Sequence, residues 1–314
     1  MKKFLLLCLF AGIAHAQPYP SKPVRLIIPF PPGGSNDIVG RMVATQLGER
    51  LGQSVVADNR GGAGGTIGTD VAAKSPPDGY TLLLISVAHA FNPAMYKKLP
   101  YDPEKSFAPI GLVAAGPVAL TVNPSVPARS VKELIDLAKA NPGKLNYATA
   151  GIGSFQHLAS ELFKLQTGVD MVHVPYKGGG PAMADTIGGQ AQINMASLIQ
   201  VIPHAKSGKL RLLATSGTKR SALFPDVPTI AETVPGYDAT NWWGLVAPAG
   251  TPPEIVDRLS KELSILLSSP TTKARLESEG ADVLRMDPAQ FGRFLHDEIE
   301  KWGKVVKRAG ITAE

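Results

Sequence analysis

Four times in this sequence an apolar run ends in a glycine-rich turn, and the residues that follow carry a helical pattern. "IIPF" runs into "PPGGSND", "VVADN" into "RGGAGGT", "NYATA" into "GIGS" and "HVPY" into "KGGGP". A strand that becomes a helix at once leaves the first N–H groups of that helix without intrahelical partners at the turn. The helix dipole then makes the turn a place for negative charge. One such turn fits any protein that alternates strands with helices. Four, spread over both halves of the chain, point to parallel sheets whose carboxyl ends carry a ligand side.

The rest of the pattern agrees. Short apolar runs at 24–30, 54–59, 80–86, 145–150, 171–176, 191–197 and 210–216 alternate with helical stretches. Several are nearly continuous in apolar residues, as expected of strands covered on both faces. Helices after the four turns are expected to begin near Ser35, Thr66, Ser154 and Pro181. Ser130 with Glu133 reads as a capping box before "VKELIDLAKA", and Thr251, Pro252 and Glu254 open the next long helix in the same way. Asp287, Pro288 and Gln290 open the last one, which Gly310 closes. The expected order is β-α-β-α with only helices at the end, an α/β fold.

Residues 1–16 are set apart. Lys2 and Lys3 precede the ten apolar residues Phe4 to Ile13, and Ala14-His15-Ala16 has the small-x-small form of a cleavage site. Ten residues fall short of the roughly 20 that a membrane span needs. A cleaved export signal is expected, with a soluble exported product starting at Gln17. Cys8, the single cysteine of the sequence, lies inside that signal. The mature chain therefore has no thiol for a disulfide, a nucleophile or a metal. Net charge is +6, but the basic residues are scattered, so no nucleic-acid partner is expected. The densest cluster, Lys301, Lys304, Lys307 and Arg308, reads as the solvated end of a terminal helix.

Glycine motifs with defined chemistry fail by position. G-x-G-x-x-G would need glycine where Gln156, Met183 and Ile67 stand, and Leu145, Leu210 and Val305 follow the three Gly-Lys pairs where a P-loop needs Ser or Thr. G-x-S-x-G fails at Asp37. The histidines 89, 157, 173, 204 and 296 never fall at i, i+4, and no metal or other cofactor is expected. An exported serine hydrolase using Ser35 or Ser154 with His89 or His157 and an aspartate stays open as an alternative. What survives is a site made of turns. A carboxylate held by helix N–H groups gains about 1.5–3 kcal/mol per charge-assisted bond, so no arginine is required. Lys177 is the cation inside a turn. Asp37, in a first helical turn, either favours the dipole or meets a ligand.

These stretches resemble the substrate-binding proteins of tripartite tricarboxylate transporters, also called the Bordetella uptake gene family. "PFPPGGSNDIVGR", "NRGGAGGTIGTDVAAKSPPDGYTLLL", "GIGSFQHLASELF", "HVPYKGGGPA", "VIPHAKSGKLRLLATS" and "WWGLVAPAGTP" follow its pattern in order, from about Tyr19 to near the C-terminus. The resemblance implies a periplasmic binding protein of type II form, two α/β lobes with a central ligand cleft, and no enzyme. It implies a small carboxylate as ligand (a di- or tricarboxylate, an acidic amino acid or an aromatic carboxylate). It also implies membrane transporter subunits as partners and a monomer in the periplasm. First-lobe contacts would be Gly34, Ser35, Asn36 and Asp37, with Ser86 and His89. Second-lobe contacts would be Ala150, Gly153, Ser154 and Gln156, then Lys177, Gly178 and Gly179, with Ser197 at a place that helps set ligand identity. A periplasmic sensory receptor would share this layout and stays open as a second alternative.

Two segments read as crossings. "FAPIGLVAAGPVALTVNP" (107–124) is too long for one strand and reads as the passage between lobes, and "GYDATNWWGLVAPAG" (236–250) reads as the return. Lobe one is then expected at 17–117 plus 241–314, and lobe two at 118–240. Trp242 and Trp243, beside the return, are expected to pack the hinge and not to stack on a ligand.

Overall fold

The computed structural model describes residues 19–312 apart from 218 and 279. The expected export signal lies outside them. Ten strands and ten α-helices are described: β1 Val24–Ile28, α1 Ser35–Leu51, β2 Val55–Asn59, α2 Thr66–Ala73, β3 Thr81–Ser86, α3 Val87–Met95, β4 Phe107–Val122, α4 Val131–Ala140, β5 Asn146–Thr149, α5 Phe155–Thr167, β6 Val172–Pro175, α6 Gly179–Ile187, β7 Ile193–Ser197, α7 Leu198–Lys206, β8 Arg211–Thr215, β9 Thr240–Pro248, α8 Pro253–Ser268, α9 Pro270–Ser278, β10 Asp282–Met286 and α10 Pro288–Ala309.

The strands join in the order β2-β1-β3-β9-β4-β7-β5-β6, with β10 and β8 also on β4. Two parallel groups, β2-β1-β3 and β7-β5-β6, sit at opposite ends of this path. Between them, β4 and β9 run antiparallel. Residues Phe107 to Pro117 of β4 pair with β9, and Val118 to Val122 pair with β7 on one side, while Ala119 to Val122 pair with β8 on the other. The molecule is thus two α/β lobes tied by one long strand and its return. The segment expected to be too long for one strand is one 16-residue strand. At ~3.3 Å per residue it spans about 53 Å, enough to serve two sheets. Register shifts between Pro109 and Gly111 and between Leu112 and Ala114 bend it.

Burial follows the sequence pattern. In β1 and β3, Ile27, Leu83 and Ile85 face the helices α3 and α10, whereas Leu26, Leu82 and Leu84 face α1 and α8. All six residues of β3 are buried. Continuous apolar runs and two covered faces are one fact seen twice. The C-terminal part departs from expectation, because β10 follows α9 and pairs antiparallel with β4, Asp282 opposite Ala115. Its charged, partly exposed residues gave no apolar run to read. Asp287 and Gln290 do form the capping box, with bonds of 2.7 and 3.0 Å. By contrast Thr251 gives its hydroxyl to Pro248 O, and α8 starts behind Pro252 with no side-chain cap.

No helix among the described residues is long and apolar enough to cross a membrane. One packing contact fixes β9 against α10: a Cβ on Gly244 would stand 2.0 Å from Phe291 Cζ. Phe291 is fully buried against Trp242 and Phe294 and has nowhere to move. Gly244→Ala is therefore expected to destabilise the protein by about 1–3 kcal/mol, as overpacking does. Urea unfolding measures it, and an unchanged midpoint would remove Gly244 from this role.

Candidate functional site

At the end of β1 the chain passes through Pro31, Pro32 and two glycines before α1 begins. Gly33 takes φ +87°, which an L side chain rarely adopts. Its N–H donates to Asp37 Oδ2 at 3.0 Å, folding the turn back on the first helical turn. Asp37 Oδ1 accepts from Asn59 Nδ2 (3.0 Å) and from Arg41 Nε (2.8 Å). Asn59 Nδ2 also donates to Phe30 O. Burial opposes the charged form of Asp37, but the bonds from Arg41, Gly33 and Asn59 outweigh it and hold the carboxyl below its usual range. Asp37 thus ties the turn to β2, and it does not line the cavity beyond the turn.

That cavity, about 40 Å³ in volume, lies where the lobes meet. Five helices start on its wall or at its edge. The N-cap residues of α1, α3, α5 and α7 (Gly34, Ser86, Ser154 and Ser197) line it, and so does Gly179, the first residue of α6. Only α5 has a side-chain cap, Ser154 accepting from His157 N. The other four have none. A missing side-chain cap costs a helix about 0.5–2 kcal/mol, and only a few tenths where glycine holds the position, as Gly34 and Gly178 do here. Four uncapped starts around one cavity leave their N–H groups for something that enters it. None of the lining residues carries a charge.

The lobes touch at these turns. A Cβ on Gly34 would be 3.8 Å from Gly179 N, and one on Gly178 would be 3.0 Å from Pro31 Cγ. On the other flank, a Cβ on Gly64 would be 2.9 Å from Gly153 O. Asn92 Nδ2, from α3, holds Gly64 O at 3.1 Å. The glycines are what let the two backbones approach so closely.

Of the expected contacts, Gly34, Ser35, Asn36, Ser86, Ala150, Ser154, Gln156, Gly179 and Ser197 line the cavity. Gly178 is the N-cap residue beside it and packs on Pro31. Gly153 lies at the lobe contact, its N–H directed to His157 Nδ1 at 3.4 Å. Lys177 is exposed and apart from the lining. His89 is buried between Tyr101 and Phe107, with Nε2 on Pro103 O at 2.8 Å. Among the described residues, neither Ser35 nor Ser154 is hydrogen-bonded to a histidine ring. Trp243 and Trp242 also stay out of the cavity. Trp243 Nε1 donates to Asn36 Oδ1 at 2.9 Å and so orients a lining side chain, while Trp242 Nε1 donates to Glu298 at 2.7 Å.

Phe30, Ala88, Phe155, Gln200 and Asn241 also line the cavity and were not read from the sequence. Gln200 sits one helical turn past Ser197, where the spacing i, i+3 could have found it. Asn241 precedes the tryptophan pair, and nothing local marks it. Beneath Ala150 to Ser154, Thr149 Oγ1 meets His173 Nε2 at 2.6 Å, and His173 stacks on His157 at 4.1 Å. Burial lowers both imidazoles, His173 to about 4 with the neighbouring His157 adding to the effect. Burial likewise lowers His89 to about 4.

Comparison with known proteins adds the following. Residues 39–311 match the family described as "Tripartite tricarboxylate transporter family receptor". The chain is similar to Protein BugT of Bordetella pertussis, 40% identical over 306 residues, which is 96% of this chain and 94% of BugT. It is similar to the solved structure of R. palustris Rpa4515 with adipate (38% identity, TM-score 0.91, covering 94% and 99% of the two chains). It is also similar to MatC from Rhodopseudomonas palustris with bound malate (32% identity, TM-score 0.87, covering 92% and 100%).

The buried histidines set an acid limit on stability. In the unfolded chain a histidine takes a proton near pH 6.5, whereas His89 and His173 accept one only near pH 4. Stability is therefore whole above pH 6.5 and is lost as pH falls from 6.5 toward 4. For His89, 3% exposed, the loss by pH 5 is on the order of 2 kcal/mol. Thermal melts should show Tm dropping between pH 7 and pH 5, and dropping less in His89→Gln. An identical drop in the variant would refute the assignment to His89.

Proposed function

The chain belongs to the tripartite tricarboxylate transporter receptor family, and on that premise we propose that it is a periplasmic solute receptor. It closes two lobes on one small carboxylate and presents it to the membrane subunits of a transporter of this type. No covalent bond changes. In this reading lobe one comprises 17–117 with 241–314 and lobe two 118–240, and the protein acts as a monomer. The observation that carries the proposal is the convergence of uncapped helix starts from both lobes on a cavity lined by no charged side chain. Such a wall suits an anion and has no carboxylate to repel it. The neighbours with adipate and malate make a carboxylate the natural anion.

The magnitudes are adequate. Four charge-assisted N–H bonds at about 1.5–3 kcal/mol each give roughly 6–12 kcal/mol. Association costs take several kcal/mol of that, which leaves affinities in the micromolar range, near −8 kcal/mol, within reach. Because α1 and α3 supply donors from one side and α5, α6 and α7 from the other, neither lobe alone satisfies the ligand. Binding energy therefore favours the closed form over the open one.

Two measurements test this. In a thermal-shift screen of small carboxylates, a true ligand at 100 times its Kd should add about 2.7 kcal/mol of stability. Gly64→Ala places a Cβ 2.9 Å from Gly153 O at the lobe contact. It is expected to weaken that ligand by about tenfold or more, since closure is what it obstructs. Calorimetry showing full affinity in Gly64→Ala would contradict closure as the source of binding, and a screen with no carboxylate bound would end the receptor reading itself.

A further inference from the structure

Among the side chains that line the cavity, two amide oxygens are buried acceptors without a donor. Asn241 is 3% exposed and Gln156 is 7% exposed, and both line the cavity. Asn241 gives its Nδ2 to Ser197 Oγ at 2.8 Å, which leaves its Oδ1 buried with no partner. Gln156 Oε1 is likewise buried with no partner. A buried acceptor left unpaired is costly, so each of these oxygens calls for a donor from whatever fills the cavity. Asn241 comes from β9 and Gln156 from the first turn of α5, so the two oxygens are contributed by separate elements around one space.

A carboxylate meets the helix N–H groups but has no hydrogen to give these oxygens. The ligand must therefore carry a donor as well. An ammonium group is the poorer choice, because no lining side chain is acidic and the surrounding helix starts impose a positive potential. Asp37, the nearest acid in sequence, is already bonded to Arg41, Asn59 and Gly33. A neutral hydroxyl supplies the hydrogen without the charge. The cavity of about 40 Å³ has room for about three waters at ~10–15 Å³ each, which sets a short carbon skeleton.

We propose that this site selects a short hydroxy carboxylate, with its carboxylate on the helix N–H groups and its single hydroxyl hydrogen donated to one of the two side-chain oxygens, that of Asn241 or that of Gln156. This rests on the receptor reading above and names the ligand class within it. A site that hydrogen-bonds a hydroxyl discriminates strongly against the analogue lacking it, because its own polar groups are then left unpaired.

The test uses ligand pairs that differ only in that hydroxyl: malate against succinate, and lactate against propionate, by isothermal titration at pH 7. The hydroxylated member of at least one pair should bind about tenfold tighter or more. At least one of Asn241→Leu and Gln156→Met, both verified as folded by their melting curves, should cut that ratio to about threefold or less by weakening the hydroxylated member, and an undiminished ratio in both overturns the proposal. Alanine, which puts an ammonium group where lactate has its hydroxyl, should not bind better than lactate. Succinate or propionate binding as well as its partner overturns this proposal while leaving the receptor reading intact. Succinate binding tighter than malate would mean that both amides present N–H₂ to a second carboxylate, which also overturns it. If none of the four acids binds while another carboxylate does in the thermal-shift screen, this proposal falls and the receptor reading stands; if no carboxylate binds at all, both fall.

Discussion

A backbone N–H at the start of a helix has no partner of its own, and in this protein most of the site is made of such groups. Four of the five helix starts around the cavity lack a side-chain cap, and they come from two lobes joined by a single pair of long strands. Each lobe alone exposes its unpartnered donors to water. Together they line one cavity that has no charged side chain on its wall. These helix starts tie the fold and the glycine turns to one another. Glycine suits Gly64 (φ +62°) and Gly178 (φ +140°) because a side chain there would strain the backbone, and a Cβ would press on Gly153 O and on the Pro31 ring of the other lobe.

The crossing strands connect this wall to the rest of the molecule. β4 changes partners at Val118, leaving β9 for β7 and β8. β9 brings Asn241 into the cavity and, two residues on, Trp243 to Asn36 of the opposite wall. Trp242, on the other face of the same strand, is held by Glu298, which also accepts from Trp302. The return strand therefore carries a lining amide, an orienting indole and an anchoring indole in consecutive positions. Alternation along a strand puts the neighbouring pair on opposite faces, so one short segment serves the cavity and the core at once.

Legibility differed by residue for physical reasons. The strands β1, β3 and β7 were plain because both their faces are buried and their sequences are correspondingly apolar. β10 was not, since an edge strand with Asp282 and Arg285 exposed has no reason to be apolar. Ser35, Ser154 and Gly179 were readable as wall residues because they open helices right after strands. His89 follows Ser86 by three residues, yet it lies apart from the cavity lining, its ring packed with Tyr101 and Phe107. Asp37, with two possible roles in the sequence, is occupied by Arg41, Asn59 and Gly33.

The sequence by itself determined much of the local grammar: which apolar runs are strands, where most helices begin, and that four glycine-rich turns open helices. It did so because strand burial, helix starts and glycine turns are short-range consequences of residue type. What only the tertiary structure decided is which of those turns share a space, that their glycines touch across the lobes, and that the Asn241 and Gln156 oxygens are left without donors. Those facts depend on contacts between residues far apart in the chain, 44 positions even for Asn241 and Ser197, and no local pattern encodes a distance of that kind.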